Sequence, residues 1–398
     1  LKHFAGEPIA AASEKSHRRN SMARLWTILL ATLVAASSFA AEIPIPAAPQ
    51  IGARSYMLMD FSSNRVLVEQ AADEPVEPAS LTKLMTAYAV FKALDQGQIS
   101  LSDQVRISEK AWRTQGSRMF IEVGTEVSVE DLIRGMIIQS GNDASVALAE
   151  HVAGSEDTFV GLMNQYAGLL GMSGSHFENS TGLPGDNHVM TARDVVKLSQ
   201  AIIKEFPSYY GYYSEREFTY NGIKQHNRNT LLWRDDSVDG LKTGHTDAAG
   251  YCLVTSAERD GMRLIAVVLG TASTEARADA TQSLLSYGFR FFETHRLYAS
   301  GEEITTARVW KGEPQIASLG LRNDLFVTIP RGQYDALTAM MDLSSDLIAP
   351  LEHDAQVGAV RVSLADNEVA RMPLVVLNGV AEAGFLARIK DEISLWLQ

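Results

Sequence analysis

Two β-rich runs, Gly250–Glu258 and Arg263–Gly270, meet at Arg259-Asp260-Gly261. Asp-Gly between such runs is the strongest short hairpin signal, because the tight turn it serves needs positive φ at both central residues. A second pair, Ala53–Asp60 and Arg65–Glu69 joined by Phe61–Asn64, opens the same part of the chain. The texture between these hairpins is helical. Leu81, Leu84, Met85, Tyr88 and Phe91 recur at helical spacing, and Pro78 just upstream suits a helix start. Further helical patterns run over Val129–Ile138, Ala144–Val152 and Asp157–Leu170, with Leu241–Thr243 as a strand and a closing helix over Ala276–Phe292. Strands at both ends with helices between them predict an α+β fold, an antiparallel sheet flanked by helices.

The chain of 398 residues is too long for one core. After His295 the composition turns β-branched and turn-rich, and Glu303–Trp310, Leu325–Ile329, Ala359–Ala365 and Glu368–Leu377 read as strands, with Asp366-Asn367 as a hairpin turn. The expected division is a larger domain over 41–296, a small all-β domain over 297–380 and an amphipathic helix over 381–398. At about 100° per residue, Phe385, Leu386, Ile389, Ile393, Trp396 and Leu397 fall on one face of that helix. The face suits a membrane interface, and a helix docked on the β domain is the alternative. Near the other end, Met22-Ala23-Arg24, the apolar run Leu25–Ala36 and Ser38-Phe39-Ala40 describe a secretory signal cut after Ala40, with residues 1–21 as an upstream extension. An exported, periplasmic protein held on the outer face of the cytoplasmic membrane is the expectation. The formal charge of −13 argues against a nucleic-acid partner, and the single Cys252, in an apolar run, excludes an intramolecular disulfide and reads as a small buried hydrophobe.

Three short motifs carry chemistry. In Ser80-Leu81-Thr82-Lys83 the serine and lysine share one helix face, so the amine can reach the hydroxyl. A serine hydroxyl needs a neighbouring base, and a lysine serves only if burial or nearby positive charge lowers its pKa. The first helical turn also offers backbone N–H groups to an oxyanion. Ser140-Gly141-Asn142 lies between two helical runs, where it is either a cap and turn or a loop offering a hydroxyl and an amide. Lys242-Thr243-Gly244, followed by His245 and Thr246, falls on a strand; it is either a solvated edge or a rail for a substrate, with Gly244 permitting close backbone approach. Taken singly, each has a bland structural reading.

Taken together and in this order, the three resemble the triplet of the penicillin-binding proteins and serine β-lactamases. Pro78–Thr86, Lys242–Thr246 and Gly288–Phe292 resemble the low-molecular-mass D-alanyl-D-alanine carboxypeptidases, as do the β domain and amphipathic tail. That resemblance implies a penicillin-binding/β-lactamase-like fold and cleavage of the terminal D-alanine from peptidoglycan stem pentapeptides. It assigns Ser80 as nucleophile and Lys83 as proton acceptor, its pKa depressed by the Lys242 ammonium. Ser140 would relay a proton to the leaving amine, and Asn142 would orient Lys83 and the substrate amide. Lys242, Thr243 and Thr246 would receive the substrate carboxylate beside Gly244, and the N–H groups of Ser80 and His245 would form the oxyanion hole. β-Lactam antibiotics would acylate Ser80, and no metal or organic cofactor is implied. A homodimer is left open.

The chain departs from some relatives in having Ala272 where an arginine grips the carboxylate, which leaves Arg277 as a substitute. Glu178-Asn179-Ser180-Thr181-Gly182 does not match the E-x-x-L-N pattern of class A β-lactamases, so Glu178 reads as a loop residue. None of the nine histidines has metal-ligand spacing, and His151, His176, His188 and His226 read as surface or core. A D,D-endopeptidase of cross-links and a non-catalytic wall scaffold are the competing functions.

Overall fold

The computed structural model describes residues 45–343 and 346–397. The expected secretory signal and the expected cut after Ala40 lie outside the described residues.

A five-stranded antiparallel sheet organises the first part. Its strands are β1 (Ser55–Asp60), β2 (Val66–Gln70), β3 (Val238–Thr246), β4 (Gly250–Arg259) and β5 (Met262–Thr271), in spatial order β2-β1-β5-β4-β3. The β4–β5 hairpin closes on Asp260 and Gly261, both at positive φ, as the Asp-Gly pair requires. Side chains alternate between two cores. Met57 and Met59 of β1 and Ile265, Val267 and Leu269 of β5 face one core, while Leu58, Leu264, Ala266 and Val268 face the other. Both faces are covered, which is why these strands read as nearly continuous apolar runs.

The larger core belongs to the helices α1 (Lys83–Asp95), α2 (Val129–Ile138), α3 (Asn142–Ala153), α4 (Glu156–Leu169) and α5 (Ala192–Glu205). Lys83–Phe91 of α1 is buried on every side, so this helix is central, not amphipathic. A 3₁₀ turn, Ala79–Thr82, precedes it and carries Ser80. The other face is covered by α6 (Thr274–Phe291), capped by Ser273, which accepts from the Ala276 N–H at 3.0 Å. Pattern alone located four of these helices and α6, but not α5 or the small hairpin Glu217–Tyr220/Ile223–His226.

The second part is all β. The strand Phe292–Tyr298 pairs with Leu325–Pro330, so residues 292–296 already belong to this part, ahead of the boundary drawn from composition. A six-stranded sheet follows in the order Leu337–Leu343, Gln356–Leu364, Asn367–Val376, Ile316–Leu321, Thr305–Trp310, Leu347–Ile348. Its hairpin loop is Ala365-Asp366, one residue earlier than expected, with Ala365 at positive φ. A separate core of Val309, Leu319, Leu321, Val327, Ile329, Val360, Val362 and Leu374 stabilises it.

The final helix, Phe385–Trp396, reverses the usual arrangement. Its polar face is the docked one: Asp391, only 2% exposed, accepts from the Lys311 N–H at 2.7 Å, and Glu392 pairs with the Lys311 ammonium. The apolar face points outward, with Phe385 68%, Leu386 82% and Trp396 86% exposed. No helix among the described residues is long and apolar enough to cross a membrane.

Candidate active site

The Ser80 turn is gripped from two sides by glycines. Ala79, immediately before the serine, sits at φ 47°, a region that a residue with a side chain rarely adopts. Gly182 at φ +83° presses against it so closely that a Cβ there would lie 1.8 Å from the Ala79 carbonyl oxygen. On the opposite side a Cβ on Gly244 would meet the Pro78 carbonyl oxygen at 2.9 Å and the Ser80 nitrogen at 3.3 Å. Gly244 thus also lets the β3 edge pack closely on the Ser80 turn.

Lys83 begins α1 with its side chain 1% exposed. Its Nζ lies 3.2 Å from Ser80 Oγ and donates at 2.6 Å both to Asn142 Oδ1 and to the Thr181 carbonyl. Burial lowers its pKa to about 7, and the Arg228 guanidinium adds to the effect while Asp143 opposes it. Desolvation is thus the leading cause, with Arg228 a cationic neighbour that joins the expected repulsion between Lys83 and Lys242. Lys242 is equally enclosed and held well below the ordinary lysine range by burial and then by Lys83, Arg228 and Arg277. It is no solvated edge lysine; its Nζ donates to the Thr243 carbonyl at 3.2 Å.

Ser140 links α2 to α3 at φ 65°, and its Oγ is buried without a hydrogen-bond partner. A strained backbone and an unsatisfied hydroxyl at one residue are costly features that concentrate at working sites. Asn142 starts α3; its Nδ2 donates to the Gln115 carbonyl at 2.6 Å, which leaves the side chain clamped between Gln115 and Lys83. Asp143 secures the adjoining loop by accepting from the N–H groups of Met119 at 3.0 Å, Phe120 at 3.0 Å and Ile121 at 3.4 Å.

A cavity of about 240 Å³ opens onto these groups, lined by Ser80, Ser117, Ser140, Arg228, Thr243, Gly244, His245, Tyr251, Thr274 and Arg277. Ser80, Ser140 and the Thr243–His245 edge thus meet at one opening. Thr246 is absent from the lining, and its Oγ1 accepts from the Ala249 N–H at 3.0 Å and donates to Glu77 at 3.3 Å. Arg277 is present: its Nη1 donates to the Gly244 carbonyl at 3.2 Å, which holds the guanidinium against the β3 edge. Arg228 was not foreseen. It lies far from every motif in sequence, in a stretch without periodicity. Thr181 contributes a carbonyl, which no side-chain pattern could reveal. Glu178 sits in a loop, accepting from the Asn187 N–H at 3.2 Å.

The profile described as D-alanyl-D-alanine carboxypeptidase, peptidase S11, matches residues 42–273. The chain belongs to this family. A second profile, the C-terminal domain of penicillin-binding protein 5, matches residues 292–382. Among the family's members, D-alanyl-D-alanine carboxypeptidase DacA of Escherichia coli K12 is 46% identical over 359 residues, 88% of this chain and 89% of that one. DacC of the same organism is 44% identical over 371 residues, 91% of this chain and 92% of that one. The crystal structure of penicillin-binding protein 5 from Haemophilus influenzae superposes with a TM-score of 0.83 at 43% identity, covering 85% of this chain and all of that one. The α+β fold with its β domain and terminal helix is the one this family shares.

Proposed function

We propose that this serine-type D-alanyl-D-alanine carboxypeptidase removes the terminal D-alanine of peptidoglycan stem pentapeptides through an acyl-enzyme on Ser80, with Lys83 as the base. The observation that carries the reading is the Lys83 amine, 3.2 Å from Ser80 Oγ and buried enough to be neutral for a large share of the time near pH 7. Lys83 takes the hydroxyl proton as Ser80 Oγ attacks the carbonyl between the two D-alanines. The Ser80 and His245 N–H groups receive the developing oxyanion. The proton taken by Lys83 passes to Ser140, whose hydroxyl has no partner in the resting site, as Ser140 gives its own to the leaving amine and the C–N bond breaks. Water then hydrolyses the ester. The substrate carboxylate is received by Thr243 beside a cluster of three cations, Lys242, Arg228 and Arg277, of which Arg277 serves in place of an arginine at Ala272. Thr246, bonded to Glu77 and outside the cavity lining, acts on the carboxylate only by shaping the turn after β3.

The enzyme works outside the cytoplasmic membrane in this reading, with the outward apolar face of Phe385–Trp396 lying in the lipid surface. Penicillin enters the same site and acylates Ser80. Intact-mass spectrometry after brief exposure to penicillin G tests the nucleophile: one penicilloyl adduct on the wild type and none on Ser80→Ala is the expected result. Release of D-alanine from a pentapeptide then tests the reaction. Folded wild type that neither forms an adduct nor turns penicillin over would sink the assignment.

A further inference from the structure

His188 is fully enclosed behind the nucleophile turn, and every ring nitrogen has a partner that fixes its state. Its Nδ1 faces two donors, the Glu178 backbone N–H at 3.3 Å and the Asn179 Nδ2 at 3.2 Å. Two donors aimed at one nitrogen require it to be the unprotonated acceptor. The proton therefore sits on Nε2, which donates to Thr82 Oγ1 at 2.8 Å. The ring also packs edge-on against Phe177. Thr82 stands between Ser80 and Lys83 and is itself fully buried.

The loop 177–188 is also fastened at its beginning, at Ser180, whose carbonyl accepts from Thr86 Oγ1 at 2.7 Å, and beside its end, where His176 and Val189 exchange backbone bonds at 2.9 and 3.0 Å. Glu156 accepts from Ser180 N at 3.0 Å and Ser180 Oγ at 2.7 Å, and Asn164 holds both the N–H and the carbonyl of Phe177. From this loop come the Thr181 carbonyl that receives Lys83 and the Gly182 backbone that presses on Ala79. The far end of the loop meets the nucleophile turn through the His188–Thr82 bond.

We propose that His188 is a positioning residue for acyl transfer: by donating to Thr82 it holds the 177–188 loop on the Ser80 turn, which keeps the Thr181 carbonyl on Lys83 and water away from that amine. The proposal rests on the assignment of Ser80 and Lys83 above. His188 does not touch substrate; its action passes through Thr82 and Thr181. The charged and titratable groups around it are His176 and Glu178, while Lys83 faces Arg228, Asp143 and Lys242. Burial and His176 hold the His188 imidazole low, to about 4, so the ring stays neutral and the bond intact over the working range.

The test is the rate of acylation by a fluorescent penicillin from pH 5 to pH 10 for full-length wild type, His188→Ala, His188→Gln and Thr82→Val. Loss of the bond should admit water to Lys83, raise its pKa and move the acid limb of the profile to higher pH, with acylation at pH 7 slowed about tenfold. His188→Gln can donate to Thr82 and accept from Glu178, so it should keep the wild-type limb. Thr82→Val should move the limb as His188→Ala does, and it decides the matter if the alanine variant does not fold. An unmoved limb in either of these two variants, whether the rate is unchanged or falls uniformly at every pH, overturns the proposal, as does a glutamine variant that fails to rescue. Silence of the wild type itself would instead overturn the Ser80 assignment, so the two failures are distinguishable.

Discussion

At the scale of single residues the site turns on one titration. A lysine in water is protonated at neutral pH and useless as a base, and here burial brings it to about 7 with help from Arg228. The sign of the pH dependence follows. Below pH 7 Lys83 holds its proton and cannot accept another, so acylation should rise with pH through about 7 and then level off. Removing the Arg228 charge by Arg228→Gln takes away a group that disfavours the protonated amine. The Lys83 pKa then rises, and the acid limb should move to higher pH, measured as penicillin acylation against pH. The same variant should raise KM for the pentapeptide by roughly tenfold, because one of three cations beside Thr243 is lost. A limb that stays in place would mean that Arg228 does not act on Lys83. That Ser80, Lys83, Ser140 and Lys242 come together was legible in the sequence because each lies in a short motif on a readable element. Arg228 and His188 were not, since a lone arginine and a lone histidine acquire meaning only from neighbours brought by the fold.

At the scale of elements, the same limits apply to pattern. The Asp260-Gly261 hairpin was read correctly because two positive φ angles demand those residues. The α1 helix was visible from its apolar spacing even though it is buried all round, while Ala192–Glu205 was passed over despite a strongly one-sided face and the Thr191 side chain capping it through Asp194 N at 3.1 Å. The strands Ile316–Leu321 and Leu337–Leu343 escaped notice because their exposed Ile316, Met340 and Leu343 break the alternation expected of a one-sided sheet. The contact between loop and Ser80 turn had no sequence signature beyond a glycine. Gly182 combines φ +83° with a backbone neighbour 1.8 Å from where a Cβ would stand. Neither the Ala79 carbonyl nor the loop can yield without displacing Ser80 or the Thr181 carbonyl. Gly182→Ala should therefore cost about 2 kcal/mol or more of stability and slow acylation by at least about tenfold in the protein that still folds. Denaturant titration and adduct formation measure the two effects, and an alanine variant with wild-type values in both would show that the loop has room the close packing denies.

At the scale of the whole molecule, the α+β part and the β part each carry a core, and polar contacts tie them: Arg65 Nη1 donates to the Thr328 carbonyl at 2.5 Å, and Thr294 donates to Asp60 at 2.7 Å. The terminal helix extends this order outward. Asp391 faces the protein on the Lys311 N–H, the exposed Glu392 is paired with the Lys311 ammonium, and Arg388 is paired with Glu382 at 2.6 Å. The charges that could repel or attract a lipid headgroup are thus largely committed, and six apolar side chains are left facing outward. The sequence showed the apolar face but not which face would dock, because that depends on the partners offered by Arg308 and Lys311. Attachment to a bilayer should accordingly be driven by apolar burial. Full-length protein should sediment with zwitterionic vesicles nearly as well as with anionic ones and lose little binding between 50 mM and 500 mM salt. Leu386→Asp with Trp396→Ala should abolish sedimentation while leaving D-alanine release from a soluble pentapeptide unchanged, since neither residue belongs to a core. Binding confined to anionic vesicles and lost in salt would instead locate the attachment in surface charge elsewhere, and no binding to either would leave the apolar face to a protein partner.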